Sequence, residues 1–198
     1  MAISIITGQL TEKMYKYIPA ETETGATKYV SSGQIVTGSK DEIIASSPLG
    51  SCVTVVAYDT KNKIGGMAHV MLPGKSLREN RHDKNKYVSD GINNLLSKLY
   101  ESGAQNSNIE ICIIGGANVL RKEDDFIAEA LVNSVLKTIG EKKMKISASS
   151  LGGFERRIAR LNIKTGNVYF AIGENAEKVL WEFDGNTNDN PLNKTIRQ

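Results

Sequence analysis

Cys52-Val53-Thr54-Val55-Val56-Ala57-Tyr58 and Gly65-Gly66-Met67-Ala68-His69-Val70-Met71-Leu72, joined by Asp59-Thr60-Lys61-Asn62-Lys63, are the stretch that decides the fold. The first run is β-branched over most of its length and is bounded by Pro48 and Gly50 before it and Asp59 after it. That pattern predicts a largely buried strand. The second run ends at Pro73-Gly74, and the polar link between them predicts a hairpin. Such a pairing carries Cys52 and His69 toward each other.

Outward from the hairpin, Tyr29-Val30, Gln34-Ile35-Val36 and Glu42-Ile43-Ile44-Ala45 read as short strands between the turns Ser31-Ser32-Gly33 and Gly38-Ser39-Lys40. Downstream, Ile109 to Ile114, Lys145 to Ser149, Ile158 to Ile163 and Asn167 to Ile172 complete the strand set, the last two joined by Lys164-Thr165-Gly166. Ile92, Leu95, Leu96 and Leu99 recur at helical spacing, with Asp90 as N-cap and Gly103 as stop. A second helix is read from the stripe Ile127, Ala130, Leu131, Val135 and Ile139, with Asp124 and Asp125 near its start and Gly140 past its end. Two amphipathic helices among about eight short strands predict an α/β fold, a layered sandwich of mixed sheet. No GxGxxG or Walker A loop is present, which argues against a doubly wound nucleotide-binding fold.

The 198 residues suffice for one domain. Residues 1–27 read as a polar lead-in, 28–183 as a single domain, and 184–198 as a polar tail expected to fray. Lys and Arg total 25 against 22 for Asp and Glu, an excess too small to indicate a nucleic-acid partner. The start lacks a basic segment followed by an apolar one, and nowhere do about 18 apolar residues run together, so no membrane insertion is expected. The two cysteines form neither a CxxC pair nor a disulfide framework, which predicts separate reduced thiols, a cytoplasmic location and no metal or cofactor.

Chemistry is expected where Ser46-Ser47-Pro48-Leu49-Gly50-Ser51 delivers Cys52 into its strand. Amides at such an edge are not yet committed to a ladder, so those of Ser51 and Cys52 can converge on an oxyanion while Gly50 leaves room for the approach. Cys52 is then the candidate nucleophile and His69 the candidate base, since an adjacent imidazole lets a thiol react as thiolate. His69 shares a strand face with Met67 and Met71, where a polar ring needs a partner. Cys112, among isoleucines, reads as core, His82 as a solvated rival base, and Arg156, Arg157 and Arg160 as a solvated edge.

Leu49-Gly50-Ser51-Cys52-Val53, Gly66-Met67-Ala68-His69-Val70-Met71-Leu72-Pro73, Lys86-Tyr87-Val88-Ser89-Asp90, Gly115-Gly116-Ala117, Leu151-Gly152-Gly153 and Thr165-Gly166, in this order between about Tyr29 and Ile172, resemble the CheD family of chemoreceptor glutamine deamidases. The resemblance implies a fold similar to the catalytic domain of the cytotoxic necrotizing factor toxins, with Cys52 as nucleophile and His69 as base. It also implies a hydroxyl six residues before the cysteine that orients the histidine, here Ser46 where the family has threonine. The partners implied are methyl-accepting chemotaxis receptors as substrates and a CheC-type phosphatase. Departures from the family pattern at Ala128, Leu131, Arg156 and Cys112 are expected to fall on the substrate-facing rim and partner surface. They leave a second reading open, a binding module for the phosphatase without catalysis of its own.

Overall fold

The computed structural model describes residues 25–77, 83–121, 123, 126–183 and 196–197. Their strands are β1 (Thr27–Val30), β2 (Ile35–Ser39), β3 (Ile43–Ser46), β4 (Val53–Asp59), β5 (Ile64–Val70), β6 (Ile109–Gly115), β7 (Lys145–Leu151), β8 (Arg157–Asn162), β9 (Asn167–Ile172), β10 (Lys178–Glu182) and a short β11 (Ile196–Arg197). The helices are α1 (Val88–Glu101) and α2 (Phe126–Glu141). The predicted hairpin forms: β4 and β5 are antiparallel, from Val53 opposite Val70 to Asp59 opposite Ile64. The buried carboxylate of Asp59 closes the turn, accepting from the backbone N–H groups of Lys61, Asn62 and Gln105 and from Asn62 Nδ2, at 2.7 to 2.9 Å.

The expected layered sandwich is present, with its strands divided over two mixed sheets. One runs β1-β3-β8-β9-β10 and the other β11-β7-β6-β4-β5-β2, the pairs β1–β3, β6–β7 and β11–β7 being parallel. Strand alternation then builds two cores. Val53, Val55, Ala57, Ala68 and Val70 pack under the helices against Leu95, Leu99, Leu131 and Val135. Val56, Tyr58, Met67, Cys112 and Ile114 face the second sheet, meeting Ile44, Leu161 and Phe170. The layers are therefore helices, sheet and sheet.

Several local expectations shift. Helix α1 begins at Val88 with Tyr87 as its N-cap, and Asp90 sits in its first turn, where Oδ2 accepts from Ser76 N–H at 2.7 Å. In α2 the buried face is Ala128, Leu131, Val135, Thr138 and Ile139, whereas Ile127 and Ala130 are exposed, because Ala128 and not Ile127 continues the stripe toward the sheet. Gly140 lies within α2, and the chain turns away only after Glu141, at Lys143 with φ 54°. Arg157 and Arg160 are buried rather than solvated: Arg157 donates to Ser150 Oγ and the Gly152 carbonyl, and Arg160 pairs with Glu177 and lies over the Tyr169 ring. Arg156 is exposed as expected. Strand β10 went unread because a bulge between Val179 and Trp181 breaks its alternation. The readings of His82, Asp124 and Asp125, and most of the lead-in and tail, lie outside the described residues.

Candidate active site

Cys52 sits immediately before β4, half-buried, and packs against the inter-sheet core with Val36, Ala148 and Ile172. His69 is fully buried on β5 and follows Met67 on the same face. Register places His69 opposite Thr54, so Cys52 is its diagonal neighbour. Diagonal neighbours in an antiparallel pair stand about 7 Å apart at Cα, within reach of longer side chains. Both groups thus face the seam between the sheets, at the end where β4 begins.

Three loops hold the cysteine there. The Cys52 carbonyl accepts from Gly116 N–H at 2.8 Å and the Gly50 carbonyl from Ala117 N–H at 2.9 Å. Gly152 N–H donates to the Gly115 carbonyl, and Asn118 N–H to the Gly153 carbonyl. Leu49 exchanges two backbone hydrogen bonds with Arg157, at 2.7 and 2.9 Å, tying the loop to the second sheet. Close approach explains Gly115, which has φ 125° and where a Cβ would stand 2.2 Å from the Cys52 carbonyl oxygen. At Gly50 a Cβ would meet Val119 Cγ2 at 3.4 Å, an ordinary van der Waals contact, so no close approach demands glycine there. The N–H groups of Ser51 and Cys52 donate to no backbone carbonyl among the described residues. Motifs quoted above as separate therefore meet: Gly115-Gly116-Ala117 and Gly152-Gly153 form the bed of the cysteine loop, while Thr165-Gly166 turns at the far end of β8 and β9.

Around the imidazole the partners differ from those expected. Nδ1 lies 3.2 Å from Ser47 Oγ, and Nε2 lies 3.4 Å from Ser32 Oγ. Ser46 is buried as well, but its hydroxyl accepts from Ala159 N–H at 2.9 Å, stitching β3 to β8. The hydroxyl positioned to orient His69 is thus that of Ser47, one residue past the strand end, where the chain has turned toward β5. Ser32 and Ser47 went unrecognised as site residues, and only their place in polar turns beside strands hinted at them. The serines, not Sγ, are the side-chain hydrogen-bond partners of the ring among the described residues.

Burial pushes the Cys52 thiol up from its ordinary value, its own backbone N–H opposing in part. Burial likewise holds His69 down at about 4, against the Val30 carbonyl, which favours the protonated ring. At neutral pH the resting pair is accordingly a neutral thiol and a neutral imidazole, and burial of both opposes proton transfer between them until the site is occupied. The departures Cys112 and Leu131 are fully buried, so they belong to the two cores and not to a rim. No group of three or more His, Cys, Asp or Glu among the described residues could hold a metal ion. No helix among them is long and apolar enough to cross a membrane.

A thiol and an imidazole on one face of neighbouring strands, beside amides that donate to no backbone carbonyl among the described residues, define the class of site from which acyl transfer to a cysteine can proceed. The sequence relationships narrow this further. The family model described as CheD chemotactic sensory transduction matches residues 71–171. A protein of Chlorobium luteolum named probable chemoreceptor glutamine deamidase CheD is 37% identical over 161 residues, covering 81% of this chain and 80% of that one. One of Methanococcus maripaludis with the same name is 34% identical, covering 76% and 97%. A chemoreceptor glutamine deamidase CheD of Halalkalibacterium halodurans is 33% identical, covering 69% and 88%. The chain belongs to the CheD family.

Proposed function

We propose that this protein deamidates glutamine side chains of methyl-accepting chemotaxis receptors in the cytoplasm, with Cys52 as nucleophile and His69 as base. The observation that carries the reading is the common seam: Cys52 and His69 face the same inter-sheet space from adjacent strands. The substrate follows from the relatives' printed names. The fold expected from the resemblance, like that of the cytotoxic necrotizing factor toxins, is part of the same proposal.

In this mechanism an arriving carboxamide displaces Ser32 from Nε2, and the ring turns to take the Cys52 proton. Catalytic hydrogen bonds that are absent at rest commonly tighten only with substrate bound. Sγ then bonds to the carboxamide carbon, and the N–H groups of Ser51 and Cys52 hold the oxyanion. The imidazolium returns its proton to the nitrogen as the C–N bond breaks, ammonia departs, and a glutamyl thioester remains. Water, giving a proton to the same imidazole, attacks the thioester, and glutamate and the thiol are released. Ser47, through Nδ1, sets the ring's resting orientation, the part that the resemblance gives to Ser46. No cofactor takes part.

The test is mass spectrometry of receptor incubated with enzyme, where each converted glutamine gains about 1 Da as NH2 becomes OH. Cys52→Ala should leave the receptor mass unchanged, and a retained gain would overturn the assignment. A second reading, a regulatory partner for a CheC-type phosphatase, has its own support. A groove of about 890 Å³ between α2 and β7 is lined by Leu136, Ile146 and Phe154, all exposed apolar side chains. If that face alone carries the function, Cys52→Ala will leave every signalling readout intact while Leu136→Glu abolishes capture of the phosphatase.

A further inference from the structure

Thr54 faces the same seam and has no part in the scheme above. It stands opposite His69 in the β4–β5 ladder, fully buried, and its Oγ1 has no hydrogen-bond partner among the described residues. A buried hydroxyl left unpaired is costly and calls for an explanation. Packing does not supply one: Val53, Val55 and Val56 surround it in sequence, and valine would fill the same volume without the polar atom.

The surroundings restrict what the hydroxyl can serve. The N–H of His69 donates to the Gln34 carbonyl and its C=O accepts from Gly33 N–H, both on the β2 side. Toward β4, then, His69 and Thr54 form the non-hydrogen-bonded kind of antiparallel pair, whose side chains stand closest, at about 4.5 Å between Cα atoms. On the other flank Thr54 faces Ile114 of β6, which is apolar. The polar groups of the second sheet nearest the cysteine loop are engaged elsewhere, Ser46 Oγ with Ala159 N–H and Arg157 with Ser150 Oγ. Along β4, Cys52, Thr54, Val56 and Tyr58 share one face, and Cys52 is about 6.7 Å away at Cα, the two-residue advance of a strand.

We infer that Thr54 is a further working residue of this site: its hydroxyl is the hydrogen-bond donor to the sulfur of Cys52 once the thiol has passed its proton to His69. A neutral thiol is only a weak acceptor, whereas a thiolate is a strong one, so the hydroxyl is unpartnered at rest and gains its acceptor as the charge forms. The inference rests on the Cys52–His69 reading and deepens it. Alkylation of Cys52 by iodoacetamide between pH 6 and 10, located by mass spectrometry, reads it without any substrate; Cys112, fully buried, is the unreactive reference. Thr54→Val should slow alkylation at neutral pH about tenfold and move its pH midpoint up by about one unit, with melting temperature unchanged or raised. Thr54→Ser should keep the wild-type profile. A wild-type profile in Thr54→Val, or Thr54→Ser as slow as Thr54→Val, overturns the inference. His69→Gln separates the two levels: if it leaves alkylation untouched, the Cys–His pair itself fails, whereas slowing by His69→Gln alone leaves that pair standing and removes Thr54 from it.

Discussion

The two ends of the β4–β5 hairpin treat buried polar groups in opposite ways. At the turn, the Asp59 carboxylate receives four N–H groups, and although its burial works against ionisation, those hydrogen bonds hold it below the usual carboxylate range. At the open end, the Thr54 hydroxyl has no partner among the described residues, and His69 has two serine hydroxyls at 3.2 and 3.4 Å. One end is saturated and fixes register; the other keeps donors and acceptors in reserve. Unsatisfied groups lower stability, so their retention on the strand face that also carries Cys52 marks where the fold gives up stability for chemistry.

The comparison breaks most readily by exchanging the two ends. Asp59→Ala removes the acceptor for four donors and should cost about 3 kcal/mol of unfolding free energy, measured by urea denaturation. Deamidation by the fraction that stays folded should be unchanged. His69→Gln should do the reverse, abolishing deamidation at little cost in stability at pH 7. Should Asp59→Ala lose activity with stability intact, the division between a structural and a chemical end is wrong.

Acid separates the same two ends. His69 is held down at about 4 when folded, against an ordinary 6.5. Between those values the unfolded chain binds a proton that the folded chain refuses, so stability falls as pH drops from about 6.5 to about 4, by about 3 kcal/mol at most. His69→Gln lacks this term, and the gap between the two proteins in urea midpoint should narrow or reverse across that window. Asp59 works in a lower range: its folded value is depressed, so its contribution is present above the unfolded carboxylate value and lost only as pH falls through the folded one. Equal acid sensitivity of wild type and His69→Gln from pH 7 to 4.5 would contradict burial of a neutral imidazole.

How much of this could be read from sequence depends on whether the signal is local. The hairpin and the register face that Cys52 shares with His69 were legible because β-branched runs, a polar turn and strand alternation lie within 21 residues, from Cys52 to Leu72. The split into two sheets was not, since β3 reaches β8 from Ile43 opposite Asn162, a partner no local pattern names. Arg157 and Arg160 read as solvated for the same reason: the acceptors that let them be buried, Ser150, Gly152 and Glu177, come from neighbouring loops and strands. In α2 a one-residue rotation decides whether Ile127 or Ala128 faces the sheet, and helical periodicity alone does not fix that phase.

The finest distinction is between neighbouring serines. Family spacing pointed to Ser46, but strand geometry sends consecutive side chains to opposite sides, and Ser46 is committed to Ala159 N–H while Ser47 reaches Nδ1 of His69. Ser46→Ala should therefore cost about 1 kcal/mol or somewhat more, because it leaves a buried N–H unpaired, and should leave the pH dependence of turnover alone. Ser47→Ala should cost less than that in stability, its hydroxyl being only partly buried, yet lower turnover several-fold by freeing the ring, with Ser47→Thr restoring it. Steady-state deamidation and urea unfolding on the two alanine variants decide the matter. A loss of turnover in Ser46→Ala alone would return the orienting role to the position the family pattern names, and would require β3 to turn its last side chain from β8 toward the imidazole in the working enzyme.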